Sequence, residues 1–408
     1  METINKIISM MLVQFPLLSY AAHHPVIYVV KEADLKNTIQ VEVHHPTDDR
    51  PTFLALRRSV SVVASQVEGV SCDGNALTET DTSVWLVPAH CALLQWRITF
   101  VDASSLVAAK QQSMISGHFK LLSEASSLPR LLNADGDDAL KMDLPYHTVF
   151  PAVNRQGLIP LSSRTAPPLF VLMNAAPLNT LTSEDITLNY WMDHRKDKND
   201  IPDERAEMHG LEWMNQRLSH HHPLIFSVAW LGLPKELLSM GGATGSNVLL
   251  TNYSNDGDIN FGKSMMLYIA LHEGFHEFAE DYAKEPTWAA ESLASYFGVR
   301  ATMAAMPDGG ALMQHFEVAG TQFSDGLLLA NEKVGKGDPS DYVEFYTKGI
   351  AFWDAVDQAM RVQGDSLDHH LVDLLNLQYD SAGNPLHLET VCHLSPNVYD
   401  ALRQQYLM

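Results

Sequence analysis

Hydrophobic and polar positions alternate in short runs through the first third of the chain, at residues 26–30, 39–43, 52–56, 83–87 and 94–101, with polar turns between them. Period-two alternation over a few residues is the mark of a half-buried strand, and several such runs in succession predict a β-sandwich over residues 23–132. Residues 133–166 carry several prolines and glycines and read as an irregular connection. From residue 167 the pattern becomes mixed. Strands are predicted at 169–173, 186–191, 225–230 and 248–251 and a helix near 205–218, which gives an α+β unit over 167–310. Beyond residue 271 helical spacing dominates, so 311–408 is predicted as a helical C-terminal part.

Residues 263–271 are apolar on nearly every side, as in a helix buried in a core, and the helical pattern runs on to 282. Within it lies His272-Glu273-Gly274-Phe275-His276. Side chains four apart share a helix face, so both imidazoles can reach one tetrahedral zinc ion. Glu273 projects beside that position, where a carboxylate can take a proton from a water activated by the metal. Three carboxylates compete for the third ligand position. Glu277 points off the ligand face, and Glu280 lies one turn beyond His276 and would have to bend back along its own helix. Glu291 comes from a second helix. Pro286 ends the first, Thr287 suits an N-cap, and a new helical pattern covers 288–303. There Glu291, Ala294, Ser295 and Gly298 share a face, and the small residues would let the two helices approach closely enough to present the Glu291 carboxylate as a ligand.

With Trp288 ahead of Glu291-Ser292-Leu293-Ala294-Ser295-Tyr296, the chain resembles a gluzincin metallopeptidase of the membrane alanyl aminopeptidase and leukotriene hydrolase clan, nearest its bacterial glycyl aminopeptidase branch. It departs from that pattern in having Ser292 for a glycine and a shorter interval from His276 to Glu291. The resemblance extends to Tyr346-Thr347-Lys348-Gly349, where the clan carries a tyrosine that hydrogen-bonds the developing oxyanion. It also extends to Gly241, Gly242, Ala243 and Thr244, where the clan places a loop and edge strand that align the substrate. Thr244 falls where the clan's amino-terminus-gripping glutamate would be. The resemblance implies an α+β protein with an N-terminal β-sandwich, a thermolysin-like zinc catalytic domain and a helical C-terminal part. It implies Zn2+ held by His272, His276 and Glu291, with Glu273 as general base and Tyr346 as oxyanion donor. The implied activity is hydrolysis of peptide bonds in a peptide or protein substrate, aminopeptidase-like. Other zinc hydrolysis on the same fold (endopeptidase, esterase, epoxide hydrolase) and a catalytically inert peptide-binding relative are the alternatives.

Composition narrows the partners. The chain has 408 residues, 46% of them hydrophobic, enough for two or three domains with their own cores. Its 27 basic against 49 acidic residues leave a net charge of −22, which argues against nucleic acid or an anionic membrane surface as a main partner. No segment after the N-terminus reaches the roughly 18 uninterrupted apolar residues of a membrane span. At the N-terminus, Lys6, an apolar run over 7–18 and small residues at Ser19, Ala21 and Ala22 resemble a secretory signal, so residues 1–22 are read as a signal peptide and the product as exported. In such a compartment Cys72 and Cys91 could form a disulfide, leaving Cys392 free. The histidine groups at 23–24, 44–45 and 220–222 read as exposed chain or turns, and His369-His370 as part of a helical continuation. Nothing in the pattern specifies an oligomeric state.

Overall fold

The computed structural model describes residues 25–56, 65–105, 111–117, 119–132, 138–144, 149–163, 167–193, 201–218, 224–234, 236, 241–254, 262–279, 285–306, 310–320 and 325–408. The expected signal segment, Glu280, the histidines at 23–24 and those at 220–222 lie outside the described residues.

Two sheets form the N-terminal sandwich. One has seven strands, in the order Leu158–Pro160, Ala139–Asp143, Ile27–Glu32, Thr38–His44, Leu93–Thr99, Val67–Cys72 and Asn75–Ala76. The other has four: Arg130–Leu131, Thr52–Ala55, Val84–Val87 and Glu79–Asp81. Val30, Val41, Leu94, Trp96 and Ile98 from the first meet Leu54, Trp85, Val87 and Leu131 from the second in one core. Alternation puts these residues on one face of each strand and the polar ones on the other. The stretch expected to be an irregular connection departs from that reading. Ala139–Asp143 pairs in parallel with Ile27–Glu32, and Leu158–Pro160 pairs outside it. These strands are short and lie at the sheet edge, where only part of each is buried, so their sequences carry little alternation.

A third, five-stranded sheet (Val149–Phe150, Phe170–Met173, Phe119–Ser123, Met114–Ser116, Val101–Asp102) joins the sandwich to the rest. Val171 and Met173 point into the sandwich core, whereas Phe170 and Leu172 point into a second core with Trp191, Ala229, Leu231 and Leu250. Phe170–Met173 was expected in the α+β unit and lies instead in this bridging sheet. Burial on both faces makes the strand uniformly apolar, and such a run does not identify the sheet it joins.

The fourth sheet runs Asn179–Thr182, Ile186–Met192, Leu224–Leu233, Leu249–Ser254, Gly242–Thr244. Its three central strands are parallel and its outer pairs antiparallel. The helix Glu204–Leu218 makes the crossover between the first two parallel strands, as parallel pairing requires. Against the opposite face from the bridging sheet packs the histidine helix (Lys263–Ala279), beside Glu204–Leu218; the glutamate helix (Thr287–Ala305) lies on these two, and the helix Lys348–Arg361 lies on the glutamate helix. The expected N-cap, Thr287, is already helical. Pro286 occupies the cap position in an extended conformation with no side-chain cap bond, and Asn331 Oδ1 accepts from Trp288 N at 3.3 Å in its place. A tertiary partner thus does what a local side chain was expected to do. Among the described residues no helix is long and apolar enough to cross a membrane.

Cys72 and Cys91 are joined by a disulfide with Cα atoms 5.9 Å apart, and Cys392 is buried and free. The bridge closes a loop 19 residues apart in sequence. Cys91→Ser is expected to lower the stability of the oxidised protein by about 2–4 kcal/mol in urea unfolding, and to abolish its sensitivity to reductant. An unchanged unfolding midpoint would show that the sandwich does not depend on the bridge.

Candidate metal centre

His272 and His276 lie one turn apart on the histidine helix, with their Nε2 atoms 3.2 Å apart. Glu291 Oε2, from the glutamate helix, lies 3.3 Å from His272 Nε2 and 3.7 Å from His276 Nε2. For zinc–ligand bonds near 2.1 Å, the edges of a tetrahedral shell are about 3.4 Å long. The three atoms therefore form a triangle of the size zinc requires, and the donor set of two imidazoles and one carboxylate fits that ion. The other expected competitor, Glu277, is outside the cluster and lines a small cleft with Phe226 and Val248.

Helix packing brings the three together. A Cβ on Gly298 would stand 3.1 Å from His272 N and 3.2 Å from its Cα, so the small residue allows the glutamate helix to lie directly on the histidine helix. Gly349 does the same on the next layer, where a Cβ would stand 2.4 Å from Ser292 Cβ. Ser292 accepts a hydrogen bond from Trp353 Nε1 at 2.8 Å.

Two outer contacts orient these side chains, and the sequence pattern identified neither. Ser295 Oγ lies 3.1 Å from His272 Nδ1, which leaves Nε2 facing the cluster. Tyr342 donates to Glu291 Oε1 at 2.8 Å, which leaves Oε2 facing the histidines. Tyr342 stands four residues before Tyr346, so helical spacing from that tyrosine was the signal that could have found it. Charge is concentrated here. Burial alone would raise the Glu291 carboxyl, but hydrogen bonds and charge from His272 and His276 hold it well below the ordinary range. Burial would lower His276, yet Glu291, then Glu273 and Glu285, push it up to about 9. The surroundings thus favour positive charge among these carboxylates, supplied by a proton or by a metal ion.

Glu273 stands beside the triangle, backed by the edge strand Gly242–Thr244. The Thr244 hydroxyl lies 2.7 Å from Glu273 Oε2 and 3.1 Å from Glu273 O, both acceptors. A Cβ on Gly242 would meet Glu273 Cγ at 2.3 Å, so this position leaves the carboxylate its place. The segment expected as a glycine loop is therefore largely the outer arm of a hairpin: Gly242–Thr244 pairs antiparallel with residues 249–251, and Gly241 O accepts from Asn252 N. Asn247 ties the hairpin to the bridging sheet, donating to Phe170 O at 2.8 Å and accepting from Phe170 N at 3.2 Å. Tyr346 ends a single helical turn, Val343–Tyr346, and its ring lies 5.5 Å from that of His272, centroid to centroid. Burial and then the charge of Glu291 keep its phenol well above the ordinary value, so it stays an O–H donor. Lys348 of the same motif is buried and donates to Asp325 O.

No protein-family model and no curated protein sequence matches the chain. Solved structures do. An aminopeptidase N family protein from Idiomarina loihiensis aligns with a TM-score of 0.62 at 13% identity, over 86% of this chain and 70% of that one. A mutant M1 zinc metallopeptidase from Deinococcus radiodurans, bound to the substrate Tyr-Ser-Ala, aligns with a TM-score of 0.50 at 13% identity, over 94% and 93% of the two chains. The fold is the one these M1-type structures share: α+β, with an N-terminal sheet domain and a helical C-terminal part.

The outer contacts yield a test. Tyr342→Phe and Ser295→Ala each remove one orienting hydrogen bond and keep the ligands, and are expected to weaken zinc retention about 10–100-fold in chelator competition, with unchanged helicity. Wild-type retention in both variants would show that packing alone orients the ligands.

Proposed function

We propose that the chain is a zinc-dependent peptidase, aminopeptidase-like and nearest the glycyl aminopeptidase branch. The observation that carries this reading is the triangle of His272 Nε2, His276 Nε2 and Glu291 Oε2 with a third carboxylate, Glu273, fixed beside it and the Tyr346 phenol close by. M1-type neighbours of the same fold support it, one of them described with a tripeptide substrate.

In this reading His272, His276 and Glu291 hold the metal. Zinc bound there supplies Lewis acidity and makes water a nucleophile near neutral pH. Glu273 accepts the proton of the attacking water and passes it to the amine that leaves. Thr244 keeps the Glu273 carboxylate in place by donating to Oε2, so the base is already oriented when substrate arrives. Tyr346 donates to the carbonyl oxygen as negative charge collects on it, a contact that strengthens toward the transition state. The edge strand Gly242–Thr244 accepts the substrate backbone by strand addition, with Gly241, Gly242, Ala243 and Thr244 lining the approach. Export of the protein is part of the proposal, supported by the Cys72–Cys91 disulfide, a bond that persists in oxidising compartments.

A second reading is favoured by Thr244. Its hydroxyl is engaged by Glu273, and the strand carries no carboxylate of its own to bind a substrate ammonium group. That arrangement suits an endopeptidase as well as an aminopeptidase. Assaying one peptide library with free and with acetylated amino termini separates the two: cleavage confined to free termini establishes the aminopeptidase, and equal cleavage the endopeptidase. No cleavage of either by zinc-loaded protein would overturn the peptidase reading.

Two substitutions test the roles. Glu273→Gln is nearly isosteric but cannot take the proton, so zinc content and fold should persist while turnover is lost; a zinc-loaded variant with near-normal turnover would remove Glu273 from the chemistry. Tyr346→Phe keeps the ring and removes one donor. It should lower kcat by about 10²–10³ with little change in KM, measured at equal zinc content, and an unchanged kcat would return Tyr346 to packing.

A further inference from the structure

A second group of side chains with ligand geometry lies in the C-terminal part. Asp365 follows the helix Lys348–Arg361, His370 precedes the helix Leu371–Leu375, and His393 follows the helix Leu388–Val391. Each offers a ligand atom within 4.8 Å of the other two. The His369-His370 pair was expected within a helical continuation; the chain instead makes a 3-10 turn, Leu367–His369, and places His370 between it and the next helix. That break turns His370 toward Asp365.

We propose that Asp365, His370 and His393 form a second site, for a divalent transition ion of the zinc class, whose role is to clip the ends of three helices together. Two imidazoles and one carboxylate suit zinc, nickel or copper, and are a poor set for calcium or magnesium, which take oxygen ligands. The site is oriented as well as assembled. His370 Nε2 lies 2.7 Å from Asp365 Oδ2, while its Nδ1 faces Asp373 Oδ2 at 3.7 Å. The 2.7 Å contact is a hydrogen bond in which Nε2 donates to the carboxylate, so an ion bound between the two takes the place of that proton, and Asp373 stands beyond hydrogen-bond reach of Nδ1. Asp365 Oδ1 is held separately, accepting from Ser366 N at 2.8 Å and lying 2.9 Å from His369 Nδ1, so Oδ2 is the oxygen left for the ion.

His393 is the residue that a simple His370–Asp365 hydrogen bond does not explain. Its ring stands edge-on, 5.5 Å from that of His370, where the chain leaves the helix Leu388–Val391 through the left-handed conformation that commonly ends a helix, with φ of 54° at His393. The Asp365 and His370 side chains are 29% and 16% exposed, which leaves room for solvent ligands beside three protein ones. Binding would open the Asp365–His370 contact toward the edge of about 3.4 Å that a tetrahedral zinc shell needs.

Metal content of the full-length protein tests this independently of the first centre. After equilibration with zinc and removal of loosely held ion, the wild type is expected to retain about two ions per chain. His370→Ala and His393→Ala should each lose one of them, Glu291→Ala should lose the other, and His369→Ala should lose neither. Excess zinc should also raise the Tm of Glu291→Ala protein, and that shift should disappear when His393→Ala is added. A wild type with a single ion that Glu291→Ala removes would overturn the second site and leave the first. One ion that survives Glu291→Ala and is lost with His393→Ala would do the reverse. Because the wild-type stoichiometry needs no variant to fold, two ions retained in folded His393→Ala protein, or one in the wild type governed by Glu291, decides against the proposal.

Discussion

Glu291 reaches His272 and His276 because the glutamate helix lies on the histidine helix with no side chain between their backbones at Gly298. The 3.1 Å that would separate a Cβ there from His272 N leaves no room for one without movement of the pair. Shifting the two helices apart by even a methyl group would take Oε2 out of the triangle, since zinc–ligand distances tolerate only a few tenths of an ångström. The packing is continued outward. Gly349 lets the helix after Tyr346 press on Ser292, and Trp353 donates to the Ser292 hydroxyl, so the layer carrying Tyr342 and Tyr346 is fixed against the layer carrying Glu291.

The same closeness concentrates charge. Glu291, and after it Glu273, outweigh at His276 the burial that would otherwise keep the imidazole neutral, whereas burial pushes the nearby Glu285 up to about 8. A compact group of carboxylates at a helix–helix seam is costly unless a cation sits among them. The geometry that makes a metal fit is thus also the geometry that makes a positive charge necessary.

The β-rich half bears on the site through one hairpin. Phe170 of the bridging sheet exchanges two hydrogen bonds with Asn247, and a Cβ on Gly245 would stand 2.3 Å from the Phe170 ring. The hairpin pinned in this way carries Gly242 and Thr244 against Glu273. A sheet outside the helical layer therefore fixes the position of the carboxylate proposed as the base, which joins the N-terminal architecture to the chemistry by a short chain of contacts.

Local periodicity determined much of this protein. The i, i+4 spacing of His272 and His276 follows from helix geometry alone, the small face of 291–298 was written in the residue types, and most strands of the sandwich core show their alternation in the sequence. Whatever depended on residues far apart in the chain was decided by the tertiary structure. Tyr342 meets Glu291 across 51 positions, Thr244 meets Glu273 across 29, and Ser295 meets His272 across 23. Asn331 replaces an expected local cap, strand Ala139–Asp143 joins the sheet beside Ile27–Glu32, and His393 meets His370 only after two helices have packed. A sequence pattern reports which face of an element is apolar, because that is repeated every turn or every second residue. It does not report which polar atom will stand opposite which, because that depends on the register and distance at which whole elements pack.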